Sequence, residues 1–425
     1  MKADTAVINF RLEGQEHLQV ALINQGYFVQ FLPQDEVDIS GLTVDNVIDA
    51  NGQLMLPGLI ETHVHLDKAC TVSRCQLHQG TLKEAIEQTA ALKQAFTYDD
   101  VYQRGKRVLE KAITQGTSYM RTHVEIDPVI GLKGFDAIKQ LQEDYAWAIT
   151  LDICVFPQEG LHNNPGTYEL LVSALEQGAN LLGGCPYTDS DPEQQIKTLF
   201  ALAAKYDVDL DFHLDFDLDS SRMSLPYVLE MTREFGYQQR VTVGHVTKLS
   251  ALKPDALAEM AKQMAHTGVR LTALPSTDLF LNGREYDHLV PRGVAPLLPL
   301  SAQGVCCSVS SNNIENPFTP YGDASQVRQA NLYANIAQLG TPNELSQCFE
   351  WISAESAKIM GLADYGIGGG KVADVVFFDA RSKAEVVATI QAPGMGLKRG
   401  VVTFTRQKTM LMPPQSAVAD MIVSE

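Results

Sequence analysis

The chain has 425 residues, enough for one large core of about 250 residues plus a smaller unit, and its 51 acidic against 33 basic side chains leave a formal charge of -18. That balance excludes nucleic acid and anionic membrane as partners, because the chain has no cationic excess with which to displace phosphate counterions. The start lacks a basic stretch followed by an apolar one, no apolar run reaches about 18 residues, and the seven cysteines lack paired spacing; a cytoplasmic protein with buried reduced thiols is expected, without disulfides or a thiolate zinc site.

Residues 1–56 read as short strands with polar turns: Ala6 to Phe10, Leu18 to Ile23 and Val47 to Ala50, followed by Asn51-Gly52, a hairpin signal before the next apolar run. The far end is similar, with Lys371 to Asp379 after three glycines and then Gly400 to Phe404. Two β-rich ends predict one small β-sandwich built from both termini, residues 1–56 and 361–425. Between them, over 57–360, short apolar runs alternate with amphipathic stretches. The runs are Leu54 to His65, Thr117 to Val124, Ala148 to Phe156, Ala179 to Gly184, Val208 to His213, Arg240 to His245, Val269 to Leu274 and Val305 to Ser310. Helical stretches such as Thr81 to Ala95, Tyr98 to Gln115, Pro165 to Gln177, Pro192 to Lys205, Leu225 to Phe235 and Ala251 to His266 separate them, several ending before Gly116, Gly178, Gly236 or Gly268. Eight such repeats predict an α/β fold, a (β/α)8 TIM barrel.

In such a barrel the active site lies where strands end, and polar residues cluster there. His63 and His65 close the first run, His123 the second, Gln158 and Glu159 follow the third, His213 closes the fifth, His245 the sixth, and Ser311-Asn312-Asn313 the eighth. On an extended strand His63 and His65, two apart, share a face, so both imidazoles aim at one point and suit Zn, Fe, Cu or Ni better than Mg or Ca. With His213 and His245 they predict a metal site at one rim.

These positions carry a resemblance. His63-Val64-His65-Leu66-Asp67, Arg121-Thr122-His123-Val124, Phe156-Pro157-Gln158-Glu159-Gly160, His213-Leu214-Asp215, Val243-Gly244-His245, Leu281-Asn282-Gly283-Arg284 and Asn316-Pro317-Phe318-Thr319-Pro320-Tyr321-Gly322 together resemble the amidohydrolase superfamily, within it the bacterial cytosine deaminases and N-isopropylammelide amidohydrolases. The resemblance implies one divalent ion, Zn or Fe, held by His63, His65 and His213 with the strand-eight position, and water activated by it for attack on a cyclic amide or amidine, releasing ammonia or an amine. It further implies His245 as the group that polarises the attacking water or steadies the tetrahedral intermediate, Gln158 at the carbonyl edge of the ring, His123 behind the site, and Lys68 as the lysine of the ammelide branch. The sequence does not set the oligomeric state; a homo-oligomer is implied only by analogy with the family.

Two positions depart from the family pattern. The strand-eight aspartate is Asn312, which offers a carbonyl oxygen but cannot take a proton, and the glutamate of the strand-five motif is Phe216. Asp215 and Asp217 are the nearest replacement acids, since an extended segment puts them on the face of His213. Three functions follow as alternatives: a metal-dependent hydrolase of a cyclic C–N bond with altered proton handling through His245 and Asp215; an inactive barrel that binds a ligand or regulates; and a different reaction in which an anionic substrate, met by Lys68 and Arg284, supplies its own proton acceptor. Phe216, Phe318 and Tyr321 are the aromatics available to stack on a planar heterocycle, and Asn313, just before the segment that carries Phe318 and Tyr321, is a further candidate substrate contact.

Overall fold

The computed structural model describes residues 3–41 and 43–412. Its largest sheet has eight strands in sequence order: Leu59–Val64, Thr117–Glu125, Thr150–Phe156, Leu181–Gly184, Asp209–Leu214, Val241–His245, Arg270–Ala273 and Cys307–Val309. All paired neighbours run parallel. The sheet closes on itself past the eighth strand, where Asn312 N–H donates to the carbonyl of His63 (2.9 Å) and His65 N–H to that of Asn312 (2.8 Å). Parallel strands inside a ring of helices are covered on both faces, which is why every residue of Thr117–Glu125 is buried.

Helices follow the strands as the periodicity predicts, among them 82–93, 98–114, 167–176, 192–206, 225–234 and 254–267. Gly268 supplies the left-handed conformation (φ +67) on which helix 254–267 stops. The helix at 133–144, between the second and third strands, has no counterpart among the helices predicted. The apolar runs of strands and helices meet in one cluster that includes Leu109, Ile138, Leu151, Leu199, Phe212, Val243 and Leu271.

Two further four-stranded sheets hold the ends of the chain. One orders Tyr27–Pro33, Gln19–Asn24, Thr5–Phe10 and Asn46–Asp49; the other orders Val401–Thr405, Met395–Lys398, Val375–Phe378 and Leu54–Pro57. Val7, Phe10, Ile23 and Phe28 of the first pack with Met55, Val375, Phe377 and Leu397 of the second in a separate core. We propose these sheets as one small unit, 1–56 with 361–425, set against a barrel at 57–360; positions 413–425 lie outside the described residues.

The structure corrects two local expectations. Leu54 to His65 is not one strand: Leu54–Pro57 pairs antiparallel with Val375–Phe378, and the chain enters the barrel only after Gly58. A side chain at Gly58 would collide with Ser118, its Cβ falling 2.1 Å from Oγ, so the crossing requires glycine. Asn51-Gly52 likewise makes no hairpin. Asn46–Asp49 runs parallel to Thr5–Phe10, and the turn hands the chain from one sheet to the other.

Candidate metal centre and pocket

Strand alternation brings His63 and His65 to one point, as their spacing requires. The Nε2 of each lies 3.0 Å from Nε2 of His213, which arrives on the fifth strand. All three rings are buried, and desolvation, followed by the neighbouring charges (His123 for His63, Lys68 for His65, His63 for His213), holds their pKa values well below the usual histidine range. They are neutral lone-pair donors. Donors each about 2.0 to 2.1 Å from a tetrahedral zinc ion stand about 3.3 Å apart, close to the spacing here. The buried Nδ1 atoms of the three histidines and Oδ1 of Asn312 make no hydrogen bond among the described residues. Three converging imidazoles and an orphaned carbonyl oxygen suit a divalent cation.

Behind this group the barrel interior is charged and packed. His123 stacks on His63 with ring centroids 3.7 Å apart and 23° between planes, and both approach Oδ1 of Asp211, at 3.5 Å from His123 Nε2 and 3.8 Å from His63 Nδ1. Arg121 anchors the other oxygen of Asp211 at 2.8 Å. Gly244 leaves the His63 ring its space, since a Cβ there would fall 3.0 Å from Cε1. Glu61, two residues before His63 on the same face, accepts the Ser311 N–H at 3.0 Å and the Gln326 amide, fixing the turn that carries Asn312; burial pushes its carboxyl up to about 7.

The pocket that His65 and His213 enter is lined further by Lys68, Gln158, Phe216, His245, Asn312, Asn313 and Phe318, joined by Leu82, Tyr187, Thr277 and Leu281. Lys68 Nζ donates to Glu125 (2.7 Å) and to Oε1 of Gln158 (3.1 Å) and sits 4.5 Å from the centre of the Phe318 ring. Phe216 meets His245 edge to face, centroids 4.6 Å apart. His245 Nδ1 is 2.6 Å from Oδ1 of Asp278, and its Nε2 faces the Asn312 amide nitrogen at 3.4 Å.

The amidohydrolase family's profile matches residues 46–140 and 154–404, most of the chain. The chain belongs to the amidohydrolase family. It is an enzyme acting on C–N bonds outside peptides. This amidohydrolase is 28% identical over 359 residues to the N-isopropylammelide isopropyl amidohydrolase of Pseudomonas sp. (strain ADP), covering 82% of this chain and 85% of that one. It is 27% identical over 359 residues to the pterin deaminase of Rhizobium rhizogenes (strain K84), covering 83% and 81%. The crystal structure of 5-methylcytosine deaminase from Klebsiella pneumoniae liganded with 5-fluorocytosine superposes with a TM-score of 0.90 at 26% identity, over 96% of this chain and 99% of that one.

Not every residue singled out in this amidohydrolase's sequence reaches the pocket. Asp215 does not: its backbone turns left-handed (φ +50), which ends the alternation, and its two oxygens accept Ser224 N–H (2.8 Å) and Leu225 N–H (3.0 Å) at the start of helix 225–234. Asp217 stays at the surface beside Lys248. Arg284 is also exposed and donates to the carbonyls of Phe280 and Gln79, and Tyr321 packs on Phe280 outside the pocket. The seven cysteines are free, and Cys185 accepts a hydrogen bond from Gln158. Asp278, which neither periodicity nor motif marks, sits in the short helix 275–281 directly after the seventh strand. Among the described residues no helix is long and apolar enough to cross a membrane.

Proposed function

We propose that the protein is a metal-dependent hydrolase of a C–N bond in a small cyclic amide or amidine, releasing ammonia or an amine. The convergence of the His63, His65 and His213 Nε2 atoms beneath a pocket with aromatic walls supports this reading most directly. These histidines, with the carbonyl oxygen of Asn312, would hold one zinc or iron ion. Such an ion, when bound, lowers the pKa of water towards neutrality and polarises the bond under attack. Phe318 and Phe216 present ring surfaces for a planar heterocycle, while the Gln158 amide, Asn313 and the Lys68 ammonium supply polar contacts at its edge. His245 faces the same space and takes the proton that water gives up.

A second reading, a ligand-binding or regulatory barrel, is favoured by Asn312 and Phe216 standing where the family pattern has acids. Elemental analysis and turnover separate the two. Protein purified without chelator is expected to carry about one equivalent of metal, to lose it in His213→Ala but not in His266→Ala on the exposed side of helix 254–267, and to release amine or ammonia from members of an aminopyrimidine, aminotriazine and imidazolone panel. Turnover by metal-free protein refutes the first reading. A ligand that raises the melting temperature without being consumed establishes the second.

A further inference from the structure

We propose that Asp278 is the positioning residue of this site, holding His245 as the tautomer with hydrogen on Nδ1 and supplying, one strand away, the negative charge that Asn312 lacks; this rests on the hydrolytic reading above. The two are 2.6 Å apart and both are buried. A carboxylate can only accept, so the hydrogen lies on Nδ1 and the Nε2 lone pair points into the pocket.

Three observations converge on this pair. No aspartate or glutamate lines the pocket among the described residues, so the Asp278 carboxylate reaches the chemistry only through His245. Asp278 is itself fixed: its second oxygen accepts Leu274 N–H at 3.2 Å, tying it to the end of the seventh strand. His245 and Val246 are both left-handed (φ +68 and +45), a conformation that costs energy in residues with side chains and is most unusual for a β-branched one. That turn presents the imidazole to Asp278 on one edge and to the pocket on the other.

The proton balance is then complete without a carboxylate on the eighth strand. Water gives one proton to His245 Nε2 as its oxygen bonds to the ring carbon, and the imidazolium so formed is neutralised by Asp278. Nε2 returns that proton to the departing nitrogen as the C–N bond breaks. The sum is water added across one bond, leaving a ring C–OH or its carbonyl tautomer and an amine or ammonia.

Two measurements on the full chain test this. Long-range proton–nitrogen spectra of protein labelled with 15N-histidine, assigned by loss of the signal in His245→Gln, should show an unprotonated Nε2 in the parent and loss of that single tautomer in Asp278→Ala; a protonated Nε2 in the parent, or identical spectra, overturns the assignment. On the panel above, Asp278→Asn and Asp278→Ala should lower kcat about 10²-fold or more with KM within about threefold. A loss under about fivefold, or one carried by KM, overturns it. If the parent consumes no panel compound, the hydrolytic reading fails and the spectra alone decide the tautomer.

Discussion

Lys68 Nζ lies 2.7 Å from Oε1 of Glu125, and each side chain is only 2% exposed. The other oxygen of Glu125 is 2.9 Å from Lys93 Nζ, which also meets Asp127 at 2.6 Å and Glu159 at 2.5 Å. The pocket lysine is thus the inner end of a buried chain of alternating charge that runs outward to helix 82–93. A buried ion pair is costly to form and more costly to break from one side, so this chain fixes where the Lys68 ammonium stands.

Acid should expose that linkage. Burial alone would raise the Glu125 carboxyl, but the Lys68 and Lys93 ammoniums outweigh it and hold the group at about 2. A depressed carboxylate contributes stability that is fully present above its unfolded value of 4.5 and is lost as pH falls through about 2. In urea unfolding between pH 2 and 4, the parent should lose stability more steeply than Glu125→Gln, by up to about 1.4 kcal/mol per pH unit. Parallel slopes over that window would contradict the charge assignment.

Lys93→Met leaves Glu125, Asp127 and Glu159 crowded without their shared cation. It should cost about 3 to 5 kcal/mol at pH 7 and clearly less at pH 4.5, where Glu159, its pKa raised by burial, is partly protonated. Chemical denaturation at the two pH values reads this directly. A cost below about 1 kcal/mol at pH 7 would mean that water replaces the ammonium.

Asp215→Ala removes the acceptor for two backbone N–H groups at the start of helix 225–234. The expected loss is about 1 to 2 kcal/mol of stability, with metal content unchanged. Loss of metal at unaltered stability would return Asp215 to the pocket.

The strand count, the closure of the barrel and the meeting of His63, His65, His213 and His245 were legible in the chain because each rests on a local rule. Periods of two and near 3.6 mark strands and helices, and residues at the ends of parallel barrel strands face one mouth. Asp215 lies away from the pocket for the same reason that His65 faces it. Alternation holds only while the backbone stays extended, and the left-handed turn at Asp215 is set by what helix 225–234 needs to start. Leu54–Pro57 failed because its apolar residues serve the core of a different sheet, a choice that composition does not encode.

By itself the sequence determined the order of strands and helices and the rim at which the imidazoles gather, since both follow from periodicity and chain direction. The tertiary structure alone decided which charges stand beside them. Lys93 is 32 positions from Glu125 and Asp278 is 33 from His245, and their placement depends on how separate helices and loops pack over the barrel mouth. Hydrogen bonds and ion pairs need approach to within about 3 Å, and at such separations only the packed fold supplies it.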